Sequence, residues 1–335
     1  MRPCLDSGNV NSPLWIEGTI YAHLQSQASA RFECVLAYQE VLEMHVFLTT
    51  DGSQSARSAE QVLSHFPWET PHRVTIATVC PAADLHELEN DVTSPVTEML
   101  DRCRNEAAQL LLATAERCKS WAPQVDRLLL DGHPADELLK AIDRLRPDVV
   151  AVGSRGLGTV RRILLGSVSE RIAKHAHCSV LVVRHPEEHP RVKSIVIACD
   201  GSPAADEAIE RFSKLPATDN LEVHLVAVVE TVHVYGTEMV LEGTGGLEGE
   251  REVAVRRLQQ AADKFRNRVG TVTTEIHTSA DVAGEILDTA ESRKADLIVM
   301  GSQGKSGWER FLLGSVSLRV LHHAPCSVWI ERVPR

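Results

Sequence analysis

The sequence predicts an α/β protein written twice: two tandem open parallel five-stranded sheets, each with helices on both faces. Three observations predict it. The hexapeptide LLGSVS occurs at Leu164 to Ser169 and again at Leu312 to Ser317, and the 32 residues beginning at Gly153 and at Gly301 align around it without a gap, about half of them identical. Upstream, MHVFLTTDGS from Met44 matches IVIACDGS from Ile195, offset by 149 residues there and by 148 at the glycines. A repeat of that period is a duplicated domain rather than a short-unit solenoid. Finally, short apolar runs alternate with helical segments in both copies, the pattern of parallel strands buried on two faces.

Taken in order, the second copy opens with a buried-type strand over Ile195 to Cys199. Ser202 then offers an N-cap and Pro203 a first-turn proline, which start a helix. A strand over Leu221 to Val229, a long helix over Glu250 to Val269 and a strand over Val272 to His277 follow. Next come a helix over Val282 to Ser292, a strand over Leu297 to Met300, a glycine-rich segment, a helix from Ser315 and a last strand over Ser327 to Ile330. The first copy repeats the order, with strands near Met44 to Thr50, Arg73 to Val79, Gln124 to Leu130, Val149 to Val152 and Ser179 to Val183. The proline-bearing charged stretch 185–191 reads as a linker, so the domains are 44–184 and 192–335. Residues 1–43 match nothing in the second copy and read as a poorly structured N-terminal extension.

The chain of 335 residues carries 46 acidic against 35 basic side chains, a net charge of −11. Such a balance supplies no positive field to hold a nucleic-acid backbone or an anionic membrane. No apolar run approaches the ~20 residues that span a bilayer, and MRPCLDSGNVNSPLW does not read as a leader, so the cytoplasm is expected. Eight cysteines without metal-type spacing read as reduced, packed thiols; Cys178 and Cys326 fall at matching places in the two copies.

Each glycine segment follows an apolar strand and reads Gly, two residues, Gly, nine residues, then Gly-Ser opening a helix: Gly153, Gly156, Gly166, Ser167, and Gly301, Gly304, Gly314, Ser315. Glycine there lets backbone approach a ligand closely, and the helix start presents unpaired amides where phosphate oxygens are favoured. The serine hydroxyl can cap its own helix or donate to a phosphate. Asp51 and Asp200 end the first strand of each copy, at the sheet edge where open α/β folds hold ligands. An Asp-Gly there is ordinarily just a turn; its recurrence beside the glycine segment is what points to a site. A Walker loop is excluded because Val299 stands where its first glycine belongs, and neither copy has the tight GxGxxG of a dinucleotide fold.

With these motifs the chain resembles the universal stress protein family, in its ATP-binding tandem form, from Met44 to the C-terminus. The resemblance implies a Rossmann-like fold of the adenine nucleotide alpha hydrolase type with strand order 3-2-1-4-5 in each half. It implies adenine or ribose contacts at Asp51 and Asp200. The phosphate and ribose cradle falls on Gly153, Gly156, Gly166, Ser167 and Val168, and on Gly301, Gly304, Gly314, Ser315 and Val316. ATP is the implied cofactor, with Mg as an optional companion, and the last strands of the halves are implied to pair antiparallel, Val180 to Val183 against Val328 to Ile330. Trp329 and Glu331 depart from Leu181 and Val183 of the first copy. A homodimer is a further candidate assembly.

Arg155 and Gln303, between the first two glycines, either reach the triphosphate or are solvated loop residues. Arg161, Arg162 and Arg310 add positive potential or solubility. The histidines at His175/His177 and His322/His323 sit where a cation complements a helix C-terminus, with metal binding the weaker alternative. No nucleophile, general base or paired carboxylates accompany the cradle. The expected function is therefore an ATP-binding stress or signalling regulator and not an enzyme, with slow hydrolysis or self-phosphorylation left open. An interaction module that makes little use of nucleotide is the alternative.

Overall fold

The computed structural model describes residues 19–21, 44–67, 72–81, 95–156, 165–184, 191–234, 237–240, 246–304 and 313–333. The stretch 185–190 and the arginines Arg161, Arg162 and Arg310 lie outside the described residues.

The first half contains β1 (Thr19–Tyr21), β2 (Met44–Thr49), α1 (Gln54–His65), β3 (His72–Cys80), α2 (Pro95–Cys118), β4 (Gln124–Asp131), α3 (Pro134–Leu145), β5 (Val149–Gly153), α4 (Ser167–His175) and β6 (Ser179–Val183). The second contains β7 (Ser194–Ala198), α5 (Pro203–Ser213), β8 (Thr218–Val234), β9 (Thr237–Val240), α6 (Gly246–Phe265), β10 (Val269–Ser279), α7 (Val282–Ser292), β11 (Leu297–Gly301), α8 (Ser315–His323) and β12 (Ser327–Glu331). Within the segment read as an extension, β1 lies parallel to β4, Thr19 beside Arg127.

Strand alternation builds the core. Successive side chains of a strand face opposite ways, so Val46 and Leu48 of β2 enter one apolar layer while Phe47 between them enters the other. The first layer packs on α1, α2, α5 and α6, through residues such as Leu63, Leu111, Phe212 and Leu258. The second packs on α3, α4, α7 and α8, through Ile142, Ile172, Ile286 and Val320. Helices therefore cover both faces, and the strand order within each half is β4-β3-β2-β5-β6 and β10-β8-β7-β11-β12.

The two sheets are joined rather than separate. β12 pairs antiparallel with β6, Trp329 beside Leu181, so one sheet runs β1-β4-β3-β2-β5-β6-β12-β11-β7-β8-β10. The last strand of each half would otherwise be an open edge, a row of unpaired backbone groups; each closes the other's. Arginines just past these strands tie the halves further. Arg184 donates to the carbonyls of Leu321 and His322 at the end of α8, at 2.6 and 3.1 Å. Arg332 donates to those of Ala173 and Lys174 at the end of α4, at 2.6 and 3.2 Å. These carbonyls lack intrahelical donors, and the helix end favours a cation.

Strand β8 is longer than the apolar run Leu221 to Val229 indicates. It continues to Val234 and turns back as β9, Thr231 pairing with Val240.

Candidate functional site

Two backbone turns of the same design end β2 and β7. Past β2, Asp51 Oδ1 accepts the amide of Ser53 at 2.9 Å, and Ser53 Oγ accepts the amide of Ala56 at 3.2 Å, capping α1. Past β7, Asp200 Oδ1 accepts from Ser202 at 2.9 Å and Ser202 Oγ from Ala205 at 3.2 Å. Gly52 and Gly201 between them sit at φ +78° and +77°, the left-handed region that suits glycine.

The other carboxylate oxygen faces the glycine segment. A Cβ placed on Gly156 would stand 2.7 Å from Asp51 Oδ2, and one on Gly304 3.1 Å from Asp200 Oδ2. At Gly156 a Cβ would have to displace the carboxylate, and at Gly304 it would press it by a few tenths of an ångström, so the missing Cβ eases the approach of the two loops. Gly153 is tighter still: its Cβ would lie 2.6 Å from the carbonyl carbon of Ser55.

The segment then returns to the helix start. The amide of Gly166 donates to Ser154 O and that of Gly314 to Ser302 O, both at 2.8 Å. Gly166 and Gly314 are the N-caps of α4 and α8, without a side-chain cap hydrogen bond. Ser167 and Ser315 are thus the first helical residues and are exposed, and their hydroxyls do not cap the helices they open. Val168 and Val316 are half-buried against the second core layer. Each half accordingly assembles its own set at the carboxyl edge of the sheet, Asp51 with Gly153, Gly156, Gly166 and Ser167, and Asp200 with Gly301, Gly304, Gly314 and Ser315. The amides at a helix start have no intrahelical acceptor, and with the positive end of the helix dipole they are suited to an anion.

Arg155 and Gln303 occupy matching places. With a Cβ on Gly166 or Gly314, Arg155 Cα would be 3.4 Å away and Gln303 Cα 3.6 Å. The carbonyl of Arg155 accepts from Ser53 Oγ at 3.3 Å, and its Nε is buried without a hydrogen-bond partner among the described residues. Burial, and next the neighbouring Arg155 guanidinium, pull the pKa of Arg184 down.

Three features went unseen in the sequence. Ser169 Oγ donates to Gly153 O at 2.6 Å and Ser317 Oγ to Gly301 O at 2.9 Å, fastening each helix start to the strand before it. The last letter of LLGSVS was the signal for both. The third is a difference: Leu110 of α2 rests on Gly52, its Cδ2 3.4 Å from a Cβ built there, whereas Arg257 of α6 lies over Gly201 and donates from Nη1 to Asp200 O at 3.3 Å.

The histidines lie at or just past the helix ends. His175, His322 and His323 lie in the last turns of α4 and α8. His322 Nε2 is 3.6 Å from Glu170 Oε2, and His177 Nε2 is 3.2 Å from Asp143 Oδ1. Among the described residues no group of three or more His, Cys, Asp or Glu side chains is placed to hold a metal ion, and no helix is long and apolar enough to cross a membrane.

The family model described as the universal stress protein family matches residues 44–184 and again 191–332. The chain belongs to that family. A universal stress protein of Methanocaldococcus jannaschii is 36% identical over 146 residues, 43% of this chain and 84% of that protein. One of Mycolicibacterium smegmatis is 29% identical over 239 residues, 69% of this chain and 72% of that one. One of Mycobacterium tuberculosis is 31% identical over 196 residues, and the match spans 59% of its length. Among solved structures, a universal stress protein from Archaeoglobus fulgidus shares the fold across 87% of this chain and 99% of its own, with 21% identity and a TM-score of 0.65.

Proposed function

We propose that each half of this universal stress protein binds an adenine nucleotide, ATP in the first instance, at the carboxyl edge of its sheet. The protein then acts in the cytoplasm as a nucleotide-dependent regulator in the stress response rather than as an enzyme. The observation that carries the reading is the close approach of a strand-end carboxylate to a glycine of the motif, made in both halves. The carboxylate oxygens of Asp51 and Asp200 would accept from the base amine or ribose hydroxyls. The amides that open α4 and α8, with Ser167 and Ser315, would receive phosphate oxygens. Val168 and Val316 follow on the same helix starts.

The bound nucleotide would bring negative charge and a hydrolysable anhydride, while the chain's own residues bind and orient it. No step of bond breaking is assigned to them. A divalent ion accompanying the nucleotide would be held mainly by the phosphates, since the described residues supply one carboxylate at each turn and no cluster. Because β6 and β12 occupy each other's edges, a homodimer would form through another surface.

Calorimetric titration of ATP into nucleotide-stripped protein tests the reading. Two sites are expected, one lost in Asp51→Ala and the other in Asp200→Ala. Heat-silent titrations with no thermal shift would leave an interaction module. ATP turnover that disappears in Asp200→Ala would make the protein an ATPase.

A further inference from the structure

The two halves place their cations differently. In the first, the glycine segment carries Arg155 and the turn at Gly52 is roofed by the apolar side chain of Leu110. In the second, the glycine segment carries the neutral Gln303, and the roof over Gly201 is the guanidinium of Arg257. Leu110 and Arg257 occupy the same place in the fold, because each directly precedes a buried leucine of the core, Leu111 on α2 and Leu258 on α6. Among the described residues one arginine thus stands by each site, at opposite ends. The Cα of Arg155 lies beside the start of α4, its guanidinium neighbouring Arg184, and Arg257 lies on the Asp200–Gly201 turn.

We propose that the two sites discriminate nucleotides by different ends: the first by phosphate charge through Arg155, the second by the base and ribose through Arg257. The assignment rests on the reading that both sites take adenine nucleotides. A guanidinium is planar, permanently charged and rich in donors. It pairs with phosphate oxygens where those lie, and stacks on a purine face or donates to ring acceptors where the base lies. Arg257 is held on the turn by the Asp200 carbonyl, and Gly201 is what gives it room: a Cβ there would lie 2.7 Å from its Nε. The apolar roof over Gly52 offers the base packing without charge. The sites are then unequal, the second keeping its affinity as phosphates are removed and the first losing it.

The test is a titration series of ATP, ADP, AMP and adenosine against the full chain and against Gly166→Val and Gly314→Val, which leave the second and first site respectively. The ATP-to-adenosine affinity ratio is expected to be at least about tenfold larger at the first site. Arg155→Gln should lower ATP affinity there about tenfold and spare adenosine. Arg257→Leu, which copies the residue that the first half already accommodates, should weaken ATP and adenosine alike at the second site, about fivefold to tenfold. Arg155→Gln and Arg257→Leu are also measured in the otherwise unaltered chain with a two-site fit, in case a Gly→Val variant fails to fold. Equal ratios at the two sites, or an Arg257→Leu loss confined to ATP, would overturn the assignment while leaving both sites nucleotide-binding. Absence of all binding in the unaltered chain would remove it together with the proposed function.

Discussion

Trp329 stands directly opposite Leu181 across the antiparallel junction of β12 and β6, and its indole Nε1 donates to Glu331 Oε2 at 2.6 Å. Its ring stacks on Phe66, centroids 5.9 Å apart, and meets Phe212 edge-on at 5.2 Å. A large ring against a smaller aliphatic side chain suits unlike strands. Two copies of β12 in the same register would put Trp329 against Trp329, so this pairing favours the junction within one chain.

Glu331 is fully buried there, holding Ser179 Oγ at 2.9 Å and Arg211 Nε at 3.1 Å. The corresponding residues of the first half are Val183 and Val62, both in the apolar core. Burial raises the Glu331 carboxyl pKa in spite of Arg211, Trp329 and Ser179, so the ionised group is less at home in the fold than in water. Removing one partner strands the other, and Glu331→Ala should destabilise the fold by about 3 kcal/mol in urea titrations. Arg211→Val with Glu331→Val, copying the first half, should recover most of that loss.

His45 provides a pH dependence. Its Nε2 lies 2.8 Å from Thr75 Oγ1, and burial first, then Arg73, bring its pKa down to about 4. The unfolded histidine takes a proton near its ordinary value of 6.5 while the folded one stays neutral. The stability that comes from keeping it neutral is therefore complete above pH 6.5 and drains away as the pH falls towards 4, by up to about 3 kcal/mol. Urea midpoints compared from pH 7.5 to 4.5 should fall more steeply for the parent than for His45→Leu as the pH is lowered.

The glycine contacts give a graded expectation. An alanine at Gly153 would push its Cβ to 2.6 Å from the Ser55 backbone, whereas at Gly301 the nearest atoms are 3.0 Å away. Gly153→Ala should cost about 3 kcal/mol or more and Gly301→Ala about 1 kcal/mol, measured by chemical denaturation.

Burial pushes the thiols of Cys80, Cys118, Cys178 and Cys326 up to about 12, with that of Cys199 higher still. The thiolate is the nucleophile. In the folded protein at pH 8 these five should resist iodoacetamide over an hour and alkylate promptly in denaturant, as peptide mass spectrometry would record.

The duplicated architecture was legible because a repeat and a buried strand both leave local marks: Val149 to Val152 is apolar at every position, and Asp-Gly-Ser recurs ahead of the glycine segment. Helix α7 lies where its apolar spacing put it, around Val282 to Ser292, and the structure adds the Asp281 cap. What escaped depends on distant partners. The β8–β9 hairpin lacks a strong turn signal, and Arg211 and Glu331, 120 residues apart, read as surface charges until the fold faces them. Arg257 was hidden because it lies on α6 beside Arg256, where arginines in a helix read as solvated, and only the Gly201 turn beneath it gives it a place. For Gly153 and Gly156 of the motif the Cβ distances add a packing reason that the sequence does not carry.

The most direct measurement of the central claim is the nucleotide that the protein carries when freshly purified, released by denaturation and quantified per chain by chromatography and mass spectrometry. Adenine nucleotide approaching two per chain, falling to one in Gly166→Val and in Gly314→Val, is the predicted result. Folded protein that carries none, and takes up none from millimolar ATP, would contradict it.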